Sequence, residues 1–555
     1  MLYYDDLETC NPLGSRATKH KLGAFYYTLG NIRPTYRSSI KAIQLLCLCK
    51  TAMIKKYGMN EVLRPFITDL QKLEQDEGYP FSIKGTEKRF RGTIAYASAD
   101  NPGSQSLGGF KEGCSAHCMC RHCLGLQEEI KSKFHEKYFT LRTPQSYEDH
   151  CAQISTYGEY FSKAYGINRR SVLNDSRFFN VVGGLPTDVM HDILEGTLHY
   201  KMKEMLKEFI KVQAILTLED LNGRIAKFDF GYYNDKNKPS PITEQKLSSN
   251  DHSLKQHAVQ MWCLAIHLPQ IIGNLISPEN TKWKLFLKLL EITAICLSPV
   301  VSQEQIAYLQ VLIEEHHSEF CHLYPESSII PKMHFMIHMP SVMLSLGPLA
   351  RSWCMRYEAK HHYFKKLSTI IGNFTNLPYT LAMRHQQWIS YKLNSSGNYE
   401  SSFLEKGIEI GPGDTVSAGD LLYYNTLKQA QEQLEHATNV RRPKWISVHG
   451  TIYKKGCVIW TGHDEEEMPI FAIVKEICIA EENLRNAWLV TEQLLTSSYN
   501  PHFNAYEVEV QLSQELVLQK QEDLIYGFPL HLIHITLEDQ VKVFVCPKYQ
   551  IPPNA

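Results

Sequence analysis

The hydrophobic period changes twice along this 555-residue chain, and that succession limits the folds open to it. Up to about residue 125, short β-type runs alternate with helical text, and two of the runs end in acid. Leu2-Tyr3-Tyr4 stops at Asp5-Asp6, and residues 93–97 stop at Asp100, before the turn signal Asn101-Pro102-Gly103. Residues 22–29 read as another strand and 40–57 as a helix. From about 126 to 345 the spacing becomes helical, clearest where Met190, Leu194, Leu198, Met202, Leu206 and Ile210 recur every fourth position. Residues 254–275, 282–296 and 303–320 carry similar text, 351–367 predict a further helix, and 394–398 a closing loop. Beyond about 440, alternating or β-branched runs at 445–453, 458–461, 470–479, 506–512, 532–536 and 541–545 suggest a small β-barrel or sandwich. The expected fold class is α/β: a mixed segment over 1–125, a helical block over 126–345, a last helical region over 346–395 and a β-rich domain over 440–549.

Composition narrows the function classes. Hydrophobic residues at 43% and charged residues at 21% describe a globular chain and exclude collagen-like or disordered ones. Lys and Arg number 58 against 59 Asp and Glu, so the chain is no histone-like DNA coat, and any nucleic-acid binding has to rest on local basic surface. The first residues, Met1-Leu-Tyr-Tyr-Asp-Asp, form no secretory leader, and the longest apolar stretch, 283–297, is broken by Lys284, Lys288 and Glu291. A chain outside the secretory route with no membrane partner is expected. Its 15 cysteines then read as reduced thiols of a nuclear or cytoplasmic compartment.

Three groups carry candidate chemistry. Asp5, with Asp6 beside it, and Asp100 stand at two strand ends, where carboxylates can converge on hard divalent cations; Glu358 on a later helix could complete the set. Two such metals would activate a water or 3′-hydroxyl and stabilise the leaving oxygen in phosphoryl transfer, whereas in a simpler reading the acids are solvated turn residues. Cys114, Cys118, Cys120 and Cys123 fall within ten positions and offer four thiolates to zinc, with His117 or His122 able to replace one. His334 and His338 lie one helical turn apart, a spacing that suits metal ligation or core packing. Basic residues flank the acids: Arg16, Lys19 and Lys21 near the first, residues 84–91 before the second, and Lys360, Lys365 and Lys366 beside the last. Arg441-Arg442-Pro443-Lys444 reads as a linker.

Several ordered motifs resemble one family. Tyr4-Asp-Asp-Leu-Glu-Thr-Cys-Asn-Pro-Leu-Gly14 with Lys19-His-Lys-Leu-Gly-Ala-Phe25 is followed by Cys120-Arg-His-Cys123 and by Leu185-Pro-Thr-Asp-Val-Met-His-Asp-Ile-Leu-Glu-Gly196. Lys332-Met-His-Phe-Met-Ile-His338 and Arg356-Tyr-Glu-Ala-Lys-His361 complete the series. In this order over roughly residues 1–390 they resemble the catalytic region of CACTA (En/Spm-type) DNA transposases, particularly the animal forms. The resemblance implies an RNase H-like core interrupted by a helical insertion, with Asp5 (or Asp6), Asp100 and Glu358 as a magnesium- or manganese-binding triad. It places the family's Asp-x-x-His on Asp188 and His191, where Asp188 would also serve as a helix N-cap worth about 1 kcal/mol. It further implies DNA as partner, homo-oligomers and a nuclear location. One departure is that only four residues precede Asp5, so the first strand is expected to begin at the edge of the chain and an upstream DNA-recognition part to be missing. The alternative is therefore a catalytically inactive, domesticated or truncated descendant acting as a DNA- or protein-binding module.

Overall fold

A computed structural model describes residues 1–9, 20–113, 116–372, 374–394, 409–421, 423, 425, 439–480, 487–510 and 516–553. Cys114, Arg16, Lys19 and the loop expected at 395–398 lie outside the described residues. The chain is mixed α/β and forms two compact units, Met1–Ile193 with Ile306–Tyr399, and Leu194–Gln305 with Glu400–Ala555. Among the described residues, no helix is long and apolar enough to cross a membrane.

In the first unit, β1 (Leu2–Glu8), β2 (Lys21–Tyr27), β3 (Gln44–Lys50) and β6 (Ala97–Ser98) make a sheet of order β3-β2-β1-β6. Strand β1 pairs antiparallel with β2 along its whole length, Asp5 opposite Ala24, so the first acid does not sit on a frayed strand. Its other edge pairs in parallel with β6, Leu2 facing Ala97 and Tyr3 facing Ser98. The alternation of β1 gives it two packed faces. Tyr3 stacks on Tyr357 of the Met355–Ile371 helix at 4.5 Å, while Tyr4 packs on Phe25 in a core with Ile54, Leu63 and Ile67.

The helix expected at 40–57 is a strand followed by a helix: β3 pairs with β2, and only α1 (Thr51–Tyr57) is helical. Gln44-Leu-Leu-Cys-Leu-Cys-Lys50 is an apolar run too short for its period to separate strand from helix, and pairing with β2 decides it. After α2 (Met59–Leu73), β4 (Tyr79–Ile83) and β5 (Thr86–Phe90) form a separate exposed hairpin. Then α3 (Asn101–Gly108) starts directly at Asp100. The Asp100 carboxylate accepts the Gly103 N–H at 2.6 Å, and the helix ends at Gly109 with φ 72°, where a Cβ would lie 2.1 Å from the Arg169 carbonyl oxygen. Only glycine fits there.

The helical block is divided between the units. In the second, the Ala258–Ile272 helix is apolar nearly all round and needs cover on every side. Within the second unit Trp262 joins a core with Val458, Trp460 and Leu530, and Gln270 donates to the Phe503 carbonyl. The β-rich part begins earlier than expected, at Glu409–Ile410 and Gly413–Ser417, whose exposed, glycine-flanked residues carry little periodic signal. Among the described residues its strands make three antiparallel sheets, the largest centred on Pro469–Ala480. The expected linker at 441–444 is a sheet component instead: Asn439–Pro443 is a strand, and Arg442 pairs with Asp414 and Glu476.

Candidate functional site

Asp5 and Asp100 are brought together by the parallel pairing of β1 with β6 and, with Asp6, line a cleft of about 620 Å³. Every oxygen of Asp5 is engaged. Oδ1 accepts the Asp6 N–H at 2.6 Å, and Oδ2 accepts from Tyr3 at 3.0 Å and from His361 Nε2 at 3.1 Å. Burial disfavours this charge, yet the hydrogen bond and charge of His361 outweigh it and hold Asp5 below the ordinary carboxylate value. The His361 ring is itself fixed, since Tyr26 meets Nδ1 at 3.0 Å. A ring that donates from Nε2 to a carboxylate and, when neutral, accepts at Nδ1 from a tyrosine has one tautomer. Asp6 points to the other face of β1, where it pairs with Lys21 at 2.9 Å and accepts from Thr51. Asp100 is pushed above the ordinary value, first by burial and then by the charge of Asp5, against the opposing Gly103 N–H.

Glu358 projects from the helix that stacks on β1 but is not among the residues lining the cleft. Its Oε1 lies 3.6 Å from His191 Nε2, and His191 Nδ1 lies 2.5 Å from Asp188 Oδ2. Asp188 is the N-cap that the sequence suggested: its Oδ2 accepts the His191 N–H at 3.2 Å and also meets the ring, while Oδ1 accepts the Cys354 N–H at 2.9 Å. The Cys354 thiol is raised well above its ordinary value by burial and then by the charges of Asp188, Glu358, Asp5 and Asp100, so four carboxylates act on one buried sulfur. Asp188, His191 and Cys354 also offer ligand atoms within 4.8 Å of one another.

Of the cysteine set expected at 114, 118, 120 and 123, Cys114 lies outside the described residues and the place of Cys118 is corrected. Cys118 turns its thiol to the Leu124 and Ala164 carbonyls, and Cys120 and Cys123 meet His334 and His338 instead. These four are buried and present their ligand atoms within 4.8 Å of one another. Burial opposes a charge on Cys120, but the Cys123 thiol and the neighbouring His338 and His334 drive it well below the usual thiol value, toward thiolate. Backbone N–H groups of His122 and Gly125 point at the two sulfurs at 3.3 and 3.4 Å. Glu136 accepts from His338 Nδ1 at 2.6 Å, which leaves Nε2 buried without a hydrogen-bond partner, as a metal-ligating imidazole requires.

Buried Arg121, inside the Cys-x-x-Cys loop, donates to the Leu185 and Pro186 carbonyls and to Asn101, and so ties this centre to the segment that opens with Asp188 and to the start of α3. Of the basic residues, Lys21 reaches the cleft, joined there by Lys55 and Arg169, which the motifs did not single out. Lys360 is corrected. It is buried and donates to the Ile40 carbonyl, so only Lys365 and Lys366 of that group face solvent. His361 was visible in a motif but without a role, since its partners Asp5 and Tyr26 lie more than 330 residues away. Compared with known proteins, the chain matches no family model and no curated sequence.

Proposed function

We propose that this protein is derived from a CACTA-type DNA transposase, with an RNase H-like first unit that cuts and joins DNA at element ends. The observation that carries the reading is that Asp5 lies on β1 and Asp100 just past β6, the strand paired in parallel with it, with the Glu358 helix stacked on β1. The sheet order β3-β2-β1-β6, with its single parallel pair, fits an RNase H-like core. The donor set fits magnesium or manganese: oxygen ligands, one of them raised by burial and then by its acidic neighbours, suit a hard cation. Such ions, held by Asp5, Asp100 and Glu358, would activate a water or 3′-hydroxyl and stabilise the leaving oxygen. His361 and Tyr26 orient Asp5, Asp188 holds the His191 ring against Glu358, and Lys21, Lys55 and Arg169 offer charge to phosphates in the cleft. Cys120, Cys123, His334 and His338 suit a structural zinc that orders the loop beyond α3. A nuclear location goes with DNA as partner in this reading.

A second reading, a non-catalytic descendant that binds DNA or protein, is favoured by one observation: Glu358 faces His191 and stays off the cleft wall. A magnesium- or manganese-dependent cleavage assay on candidate terminal repeats separates the two. Wild type is expected to cut and Asp100→Asn to lose cutting; equal activity in both rejects the triad, and no cutting by wild type favours the second reading.

A further inference from the structure

The β4–β5 hairpin is anomalous for an isolated ribbon. Two-stranded hairpins are marginal in water, and every residue of both strands is exposed. Its register pairs Tyr79 with Phe90, Phe81 with Lys88 and Ile83 with Thr86, so these six side chains share one face. Lys84 and Gly85, at φ 51° and 77°, make the tight turn that this register needs. Phe81 meets Tyr79 and Phe90 edge to face, at 5.3 and 5.6 Å. These contacts hold the ribbon together but do not cover it: Tyr79, Phe81 and Phe90 remain 40%, 43% and 47% exposed. A solvent-facing aromatic cluster of this kind marks a contact surface.

Charge identifies the occupant. From 79 to 91 the ribbon carries Lys84, Lys88, Arg89 and Arg91 against Glu87 alone. Arg89 and Arg91 pair with Glu87 and Asp76, whereas Lys84 and Lys88 have no ion-pair partner among the described residues. A second copy of the ribbon would set cations against cations; a polyanion would neutralise them. Aromatic faces interleaved with lysines are the surface on which successive unpaired bases stack while the backbone phosphates are neutralised. The tether limits the distance. Phe90 lies ten residues before Asp100 and so at most about 36 Å from it. That is roughly ten nucleotides of one strand.

We propose that this ribbon binds unpaired DNA beside the cleft, with Tyr79, Phe81 and Phe90 stacking on bases and Lys84 and Lys88 holding phosphates. The proposal rests on DNA as the partner, the reading given above, but needs no catalysis.

The test is equilibrium binding of the full chain, in EDTA, to a fluorescent oligothymidine of about 16 nucleotides and to a duplex of equal length. Wild type is expected to prefer the single strand. Phe81→Ala/Phe90→Ala and, separately, the surface pair Lys84→Glu/Lys88→Glu should each weaken it about tenfold or more. Unchanged binding in both variants overturns the proposal, as does a wild type that ignores the single strand. Loss of self-association in sedimentation with DNA affinity intact also overturns it and assigns the ribbon to contact between copies. Ribbon-dependent binding without cleavage sustains the ribbon while rejecting the catalytic reading; cleavage with binding unchanged in both variants does the reverse.

Discussion

Tyr26, His361 and Asp5 form a line of hydrogen bonds that joins β2, the Met355–Ile371 helix and β1. Such a line fixes where the carboxylate points. His361→Ala is expected to lower the manganese affinity of cleavage about 10–100-fold, as loss of a ligand-orienting partner does, and His361→Gln, which can still donate to Asp5, to restore part of it. Manganese titration of the cleavage rate checks this; an unchanged affinity would reduce His361 to packing. Asp192 offers a pH prediction. Burial, partly opposed by Arg121 and Asn101, raises it from 3.8 to about 6. The folded chain therefore binds this proton more tightly than the unfolded one. Its contribution is fully present below pH 3.8, falls as pH rises toward about 6 and is level above. The loss amounts to roughly 3 kcal/mol at most. Asp192→Asn keeps an acceptor for Asn101 and has no proton to lose, so its melting temperature should gain on wild type between pH 4 and pH 6.5. Parallel melting curves would refute the assignment.

At the scale of elements, the cluster of Cys120, Cys123, His334 and His338 joins a loop to a helical turn more than 200 residues further along the chain. Cys120→Ser and His334→Ala should each remove bound zinc, measured by elemental analysis of the purified protein, whereas Cys118→Ser should retain it. Loss of zinc from Cys118→Ser would restore the four-cysteine set. The difference shows what local text can reveal. Cys-x-x-Cys is legible because ligand spacing is local, and the His334, His338 spacing is legible too, but only the fold decides that these half-sites face each other and that Cys118 turns away. The acids divide in the same way. Asp100 was readable as the end of a strand, but Asp5 was not: the expected stop at Asp5-Asp6 is corrected, since pairing with β2 carries β1 through both acids to Glu8. Most helices fell near their expected positions because a long apolar period is robust. Strand β3 was not readable, since its seven residues take their form from pairing with β2. The burial of Lys360 was hidden as well, because nothing local distinguishes a buried lysine from a solvated one.

For the whole molecule, a net charge of −1 means that no long-range attraction draws the chain to DNA, so salt dependence should report only local contacts. Three cations line the cleft, and two of them are already engaged: Lys21 with Asp6, and Arg169 with the Asn60 side chain and the Ser106 carbonyl. Each phosphate neutralised on duplex DNA contributes about −0.9 to the slope of log K against log salt, so three contacts predict a slope near −3. Lys55, which has no ion-pair partner among the described residues, should count in full, and Lys55→Glu should flatten the slope by about 0.9 and weaken all duplex sequences alike. Lys21 must first leave Asp6, so Lys21→Glu should cost less binding than Lys55→Glu. Fluorescence anisotropy of a labelled duplex from about 50 to 200 mM salt measures this. A slope of about −6 or steeper would require a basic surface well beyond the cleft, and a slope near zero would remove duplex phosphates from the cleft altogether.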